Sequence, residues 1–418
     1  MKISLCSTLI WTILSFGIFA SDTPWNRHAI DNSSRGADGI RTADINGDGR
    51  LDLTTGWEEG GVIRVYLNPG PEKSREPWPA VTVGRVKSPE DAVFADLDGD
   101  GNVDVVSSCE GNTQNVFVHW APAREQLLDE SAWKTEPIPA LAKKTRWMFC
   151  LPLQIDGRRG IDLVLGSKEP NAVVGWLQAP IENPRDLSAW KWHELYKAGW
   201  IMSIVPLNGP GDGHAEIRTR DPLGSSFLVT DRKGPNRGLY LFQHPGYQAV
   251  QHNEKWNIQR LGGADHEVMF LDHRPMPAPG WETIVATRNN EVLGFARPEK
   301  AAPGQEQPPL FERAGTIPLA ENTGNFKSVR WCDVDLDGRL DLIYSCEGAT
   351  GDKSGVVWLK PTDGPNGIEW QRNEISGHEG VKFDLIQLID LDADGDLDVL
   401  TCEERDNLGV IWYENPTR

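Results

Sequence analysis

Short apolar runs separated by polar turns recur along the whole chain, and one kind of run always ends the same way. Residues 62–69, 116–122, 173–180, 238–245, 291–298, 356–361 and 409–416 are apolar stretches that close on Pro. An aromatic stands near each end: Tyr66, Trp120, Trp176, Phe242, Phe295, Trp358 and Trp412. Runs rich in β-branched and aromatic residues, bounded by turn residues, predict strands. One aromatic per unit could serve as a ligand-stacking series, but its regular placement in every unit favours core between neighbouring sheets. A further short strand follows, opened by Trp78, Trp133, Trp192, Trp256 or Trp370.

Ahead of the aromatic strands lies an acidic phrase that occurs four times without interruption, at residues 44–52, 96–104, 333–341 and 390–398. The first copy offers Asp44, Asn46, Asp48 and Asp52, and the second Asp96, Asp98, Asp100 and Asp104. The third offers Asp333, Asp335, Asp337 and Asp341, and the fourth Asp390, Asp392, Asp394 and Asp398. Carboxylates crowded in this way call for a cation, and a hard ion taking six to eight oxygens, Ca²⁺, fits them, with the carbonyls of Arg50, Asn102, Arg339 and Asp396 completing the four sets. Gly395 permits the sharp turn. An EF-hand would need a bidentate Glu at position twelve, where Thr55, Ser107, Tyr344 and Thr401 stand. The last acid instead falls at position nine, directly before apolar runs such as Val105-Val106 and Leu342-Ile343, so these are calcium loops between two strands.

Aligning on that last acid uncovers weaker copies ending at Asp162, Glu216 and Glu282, giving seven units spaced 52 to 66 residues apart. Each unit holds four strands: one before the loop, one after it, the aromatic strand and the Trp-led strand. Radial repetition of four-stranded units makes an all-β seven-bladed β-propeller. The last unit lacks its Trp-led strand, and residues 25–30 supply one, so the N-terminal strand is expected to complete the last blade. The four acidic loops and the period resemble the FG-GAP and VCBS repeats of calcium-binding propellers, the type seen in integrin alpha-subunit heads. Units three, four and five lack a full ligand set.

Residues 1–20, with Lys2 ahead of an apolar run and Ala20 before a polar start, read as a secretory signal peptide, with an uncleaved anchor as the alternative. The propeller then occupies residues 21–418, secreted or periplasmic, with no later span and as a monomer. Formal net charge is −19. Much of that acid is the ligand aspartates, which argues against nucleic acid as a partner. The mature chain keeps Cys109, Cys150, Cys332, Cys346 and Cys402, an odd number without metal or disulfide spacing, read as small apolar core residues.

The resemblance places the calcium loops on one face, so the far end of each second strand reaches the other. Six residues past the anchors stand Glu58, Glu110, Lys168, Arg288, Glu347 and Glu404, with Arg218 and Arg220 offered by unit four. Units one, two, six and seven thus present acids and the others bases, a mouth with two arcs of opposite sign. Residues 221–237, rich in Gly, Pro and charge, are expected to project over it as a lid or wall. Such a mouth suits a glycan or an extracellular protein. A binding module is favoured by the absence of hydrolase, zinc-protease and phosphate-loop phrases. The alternative is a lyase on uronate-containing polysaccharide, with Lys168, Arg220 and Arg288 neutralising the carboxylate and His266 as base. The paired acids, Glu58 with Glu110 or Glu347 with Glu404, could instead serve a hydrolase.

Overall fold

The computed structural model describes residues 23–207, 225–274, 281–298, 311–365 and 367–418. Residues 1–20, the expected leader, lie outside these, as do Asn208, Glu216, Arg218 and Arg220. The strands form seven four-stranded antiparallel sheets. In six of them the strands follow chain order. The seventh joins Asn26–Asp31 to Gly409–Glu414, followed inward by Asp398–Glu403 and Gln387–Ile389. The N-terminal strand therefore completes the last blade, with Asn26 opposite Glu414 and Ala29 opposite Ile411.

The seven strand aromatics are core residues, from 0% exposed for Tyr66 to 9% for Trp358. Their clusters bridge blades. Val65, Phe94 and Trp133 join the first to the second, Trp120, Trp147 and Leu177 the second to the third, and Trp57, Leu400 and Trp412 the seventh to the first. A sheet hydrophobic on both faces must be sandwiched, and a closed ring sandwiches every blade. All five cysteines among the described residues are buried free thiols.

Outer-strand tryptophans seal the rim with an indole hydrogen bond. Trp78 donates to the Ser74 carbonyl at 3.0 Å, Trp133 to Leu127 at 2.9 Å and Trp190 to Pro184 at 2.8 Å. In the third blade the sealing residue is thus Trp190, not Trp192, which lies within the strand Lys191–Lys197.

Of residues 221–237, the expected lid or wall, 221–224 lie outside the described residues and the rest does not project as one. Their Phe227–Asp231 segment is the second strand of blade four, paired on both sides and buried throughout. The apolar run Phe227-Leu228-Val229 within the polar stretch decides its place.

Ring closure depends on the junction of blades seven and one, where the Trp412 indole donates to Ser74 at 3.1 Å. Trp412→Ala removes that bond and a fully buried ring. Denaturant unfolding is expected to show a loss of about 3–5 kcal/mol.

Candidate functional site: the acidic loops and the channel mouth

The residue that ends each loop is a staple. Asp52 accepts backbone N–H bonds from Ile45 at 3.0 Å and Asn68 at 2.8 Å. Asp104 takes Leu97 and Ala121, Asp162 takes Ile155 and Ala179, and Asp398 takes Leu391 and Asn415. Each carboxylate ties the loop start to the end of the third strand. Blade six departs: Val334 still donates to Asp341 at 2.9 Å, but strand register puts Pro361 where Asn415 stands. Proline has no N–H, and Asp341 Oδ1 is buried without a hydrogen bond.

Blade four corrects the sequence reading. Register sets Leu228 opposite Leu241 as Val164 is set opposite Trp176, so the staple is Ser226 and not Glu216. The Ser226 hydroxyl accepts the His244 N–H at 3.0 Å, as Asp162 accepts that of Ala179. Six residues past Ser226 stands Arg232, which takes the place expected of Arg218 or Arg220. Counting back from the closing Pro245, rather than searching for an acid, would have landed beside it.

The loop openings use the first acid as a turn cap. Gly49 donates to Asp44, Gly101 to Asp96, Gly338 to Asp333 and Gly395 to Asp390, all at 2.9–3.1 Å. These glycines have φ from +84° to +96°. In three loops the ligand oxygens converge to within 4.8 Å: Asp96, Asp98 and Asp104; Asp333, Asp335 and Asp341; Asp390, Asp392 and Asp398. The first loop forms no such trio among the described residues; there Asn46 and Arg50 both bond Asp48.

The donor set fits a hard cation. Besides Asp341 Oδ1, the buried Asp335 Oδ1, Asp392 Oδ1 and Asp396 Oδ1 have no hydrogen-bond partner. Burial pushes Asp104 up to about 8, and Asp341 and Asp398 up to about 7. The third loop is an internal control. Gln154 stands at its first position and donates its amide N–H groups to the carbonyls of Arg158 at 2.7 Å and Gly160 at 2.5 Å. A neutral donor there gathers the oxygens that the acidic loops leave to a positive charge. Basic side chains lean in the same direction: Arg185 reaches Asp98 and Asp100, Arg75 reaches Asp392, and Lys360 reaches Asp335 and Asp337.

At the opposite ends of the second strands, residues from all seven blades line an axial cavity of about 330 Å³. Glu58, Glu110, Lys168, Arg232, Arg288 and Glu347 supply its rim. Glu404 lies just behind, paired to Lys327 and Lys382. The sign order around the ring is therefore two acids, three bases and two acids. Beneath the bases the floor is apolar, with Met148, Phe149, Met202 and Phe270; beneath the acids it is charged, with Asp38, Glu90, Lys327 and Asp384. In six blades a bulge in the innermost strand falls near this end and re-aims these side chains.

The arcs are less segregated than the second strands alone imply. Lys327, on the innermost strand of blade six, and Lys382, ahead of that of blade seven, reach into the acidic arc, Lys327 lying 2.5 Å from Asp384. Where the arcs meet, opposite signs pair: Lys168 with Glu110 and Glu90, and Arg288 with Glu347. Arg232, in the middle of the basic arc, turns to Glu267 at 2.6 Å. Trp200 lies among the cations, its ring centroid 4.7 Å from Lys168, 4.7 Å from Arg232 and 4.4 Å from Lys233. Its indole N–H is buried without an acceptor.

His266 is not placed to act as a base. It lies outside the cavity lining, and both ring nitrogens are engaged, Nδ1 with Asp265 at 2.7 Å and Nε2 with Glu291. The lyase reading keeps Lys168 and Arg288 at the cavity, has Arg220 outside the described residues, and loses its proton acceptor.

A family model described as FG-GAP-like repeat matches residues 44–107, the stretch carrying the first two acidic loops. The chain is a seven-bladed β-propeller with an FG-GAP-like repeat in its first two blades. No curated protein matches this propeller. Its fold is similar to that of a crystal structure of the Myceliophteria thermophila Cps50 (Swd1) beta-propeller domain, with a TM-score of 0.54, 12% identity, and coverage of 94% of this chain and 100% of that one. Among the described residues no helix is long and apolar enough to cross a membrane.

Burial pushes Glu90 up to about 8, although Lys168 pulls it down. A carboxyl that holds its proton more tightly when folded stabilises the fold below its unfolded value of 4.5, and that contribution is lost as pH rises through about 8. Unfolding free energy is therefore expected to fall from about pH 5 to about pH 9, and Glu90→Gln to flatten the fall by about 1–3 kcal/mol. Denaturant titrations across that range decide it; an unchanged slope in the variant would assign the titration to another group.

Proposed function

We propose that this is an exported, calcium-loaded binding propeller whose channel mouth takes an acidic glycan. Residues 1–20 act as the leader. One observation carries the choice of ligand: in a cavity of about 330 Å³, a buried indole N–H without an acceptor, that of Trp200, sits beside Lys168 and Arg232. A carboxylate brings the acceptor oxygens that the indole lacks and exchanges for the existing ion-pair partners of the bases. The apolar floor on the same side accepts the C–H face of a sugar ring, and the size lies within the range of small-ligand sites.

Calcium belongs to the other face, held by the acids of loops two, six and seven, with loop one the weakest candidate. The ion supplies positive charge to buried carboxylates and so favours the folded ring. Its role is structural, since no loop carboxylate reaches the mouth.

Two measurements test this. In calorimetric titrations with oligogalacturonate and a neutral oligosaccharide of equal length, the acidic probe is expected to bind preferentially. Arg232→Ala should weaken it about tenfold, and equal binding of the two probes would sink the assignment. For the metal, adding Ca²⁺ at a hundred times its Kd should stabilise chelator-treated protein by about 2.7 kcal/mol per site. Asp335→Ala should shrink that gain, and a melting temperature indifferent to calcium would rule the metal out.

A further inference from the structure

A second groove, of about 360 Å³, lies away from both the mouth and the acidic loops, between the outer strands of blades three and four. One wall is Trp176, stacked on His193 with centroids 4.4 Å apart and planes 13° apart. The other is Trp256, braced edge-on by His244 at 5.1 Å. Asn253, Glu254 and Lys255 stand exposed along the rim, and none of their side chains makes a hydrogen bond or ion pair among the described residues.

The groove is open for a reason written in the backbone. Trp78, Trp133 and Trp190 each donate to a carbonyl of the connection before their strand, and so seal the corresponding place in blades one to three. Trp256 holds that position in blade four, but the connection there is a helix, Tyr247–Gln251. The following N–H groups take its carbonyls: His252 donates to Gln248 and Ala249, Asn253 to Val250, and Glu254 to Ala249. Among the described residues the Trp256 indole makes no hydrogen bond, and neither does that of Trp176.

We propose that this groove binds an uncharged pyranose residue of a glycan. A sugar ring offers apolar C–H faces to aromatic walls and hydroxyls to indole N–H groups and to a rim of mixed donors and acceptors. The rim carries one acid and one base in Glu254 and Lys255, while Glu194 is already matched by Lys197 at 2.8 Å. Neither sign of ligand charge is favoured, which separates this site from the mouth. An extended peptide would be held by strand-edge hydrogen bonds and would leave the indole donors unused.

The test uses the full calcium-loaded chain, titrated with chitotriose, mannotriose and xylotriose and read by tryptophan fluorescence and calorimetry. At least one is expected to bind saturably, without competition from oligogalacturonate. Trp256→Ala should weaken binding at least tenfold, and the surface double variant Asn253→Ala/Lys255→Ala several-fold with an unchanged circular dichroism spectrum. Failure of all three sugars to saturate, affinity unchanged in the double variant, or displacement by oligogalacturonate would each overturn the proposal. If Trp256→Ala does not fold, the double variant alone decides it.

Discussion

Every blade whose staple is described in full hangs on one short polar contact, a side-chain oxygen at the start of the second strand that accepts backbone N–H groups from two different segments. Asp52, Asp104, Asp162 and Asp398 do this with both oxygens of a buried carboxylate. Left unpaired, those backbone donors would each cost about 1–3 kcal/mol. The contact fixes the register of the second strand, and register fixes which residue arrives at the far end. From Asp52, Asp104, Asp162, Ser226 and Asp341 to Glu58, Glu110, Lys168, Arg232 and Glu347 at the rim the spacing is the same, because a strand has no slack between them.

The mouth follows from that regularity. One position per blade sets the sign of its sector, and the neighbouring innermost strand sets what lies beneath. Bases over Met148, Phe149, Met202 and Phe270 make a sector that is charged at the rim and oily at the floor. Acids over Lys327 and Asp384 make one that largely satisfies itself. The same architecture therefore gives one side of the channel paired bases around an unpartnered indole above an apolar floor, and the other a closed network of internal ion pairs. The helix Tyr247–Gln251 produces a comparable asymmetry at the rim, where blade four lacks the seal of blades one to three.

Much of this was legible in the chain, and the parts that were not share a cause. The four-strand period, the exchange of the N-terminal strand into the last blade, and the rim positions Glu58, Glu110, Lys168, Arg288 and Glu347 all follow from spacing. Ser226 did not, because a hydroxyl does the work of a carboxylate there and a search for acids passes over it. The strand Phe227–Asp231 was hidden by polar neighbours on both sides. His266 looked available because sequence gives no view of Glu291, twenty-five residues on, which takes its second nitrogen. The reach of Lys327 into the acidic arc likewise depends on the adjoining blade, whose Asp384 and Glu404 receive it. Local pattern reports what a residue is and which strand it joins; it is silent on who meets it from another blade.

The swapped strand carries a consequence for how the molecule is made. Within the propeller Asn26–Asp31 is the first described strand to be made, and its sheet partner, Gly409–Glu414, is the last. Through nearly the whole of synthesis and any export that follows, it remains an unpaired edge, while blades one to six can assemble from neighbours in sequence. The wheel is thus latched by the two strands furthest apart in its own sequence, so the ring stays topologically open until its last strand has been made.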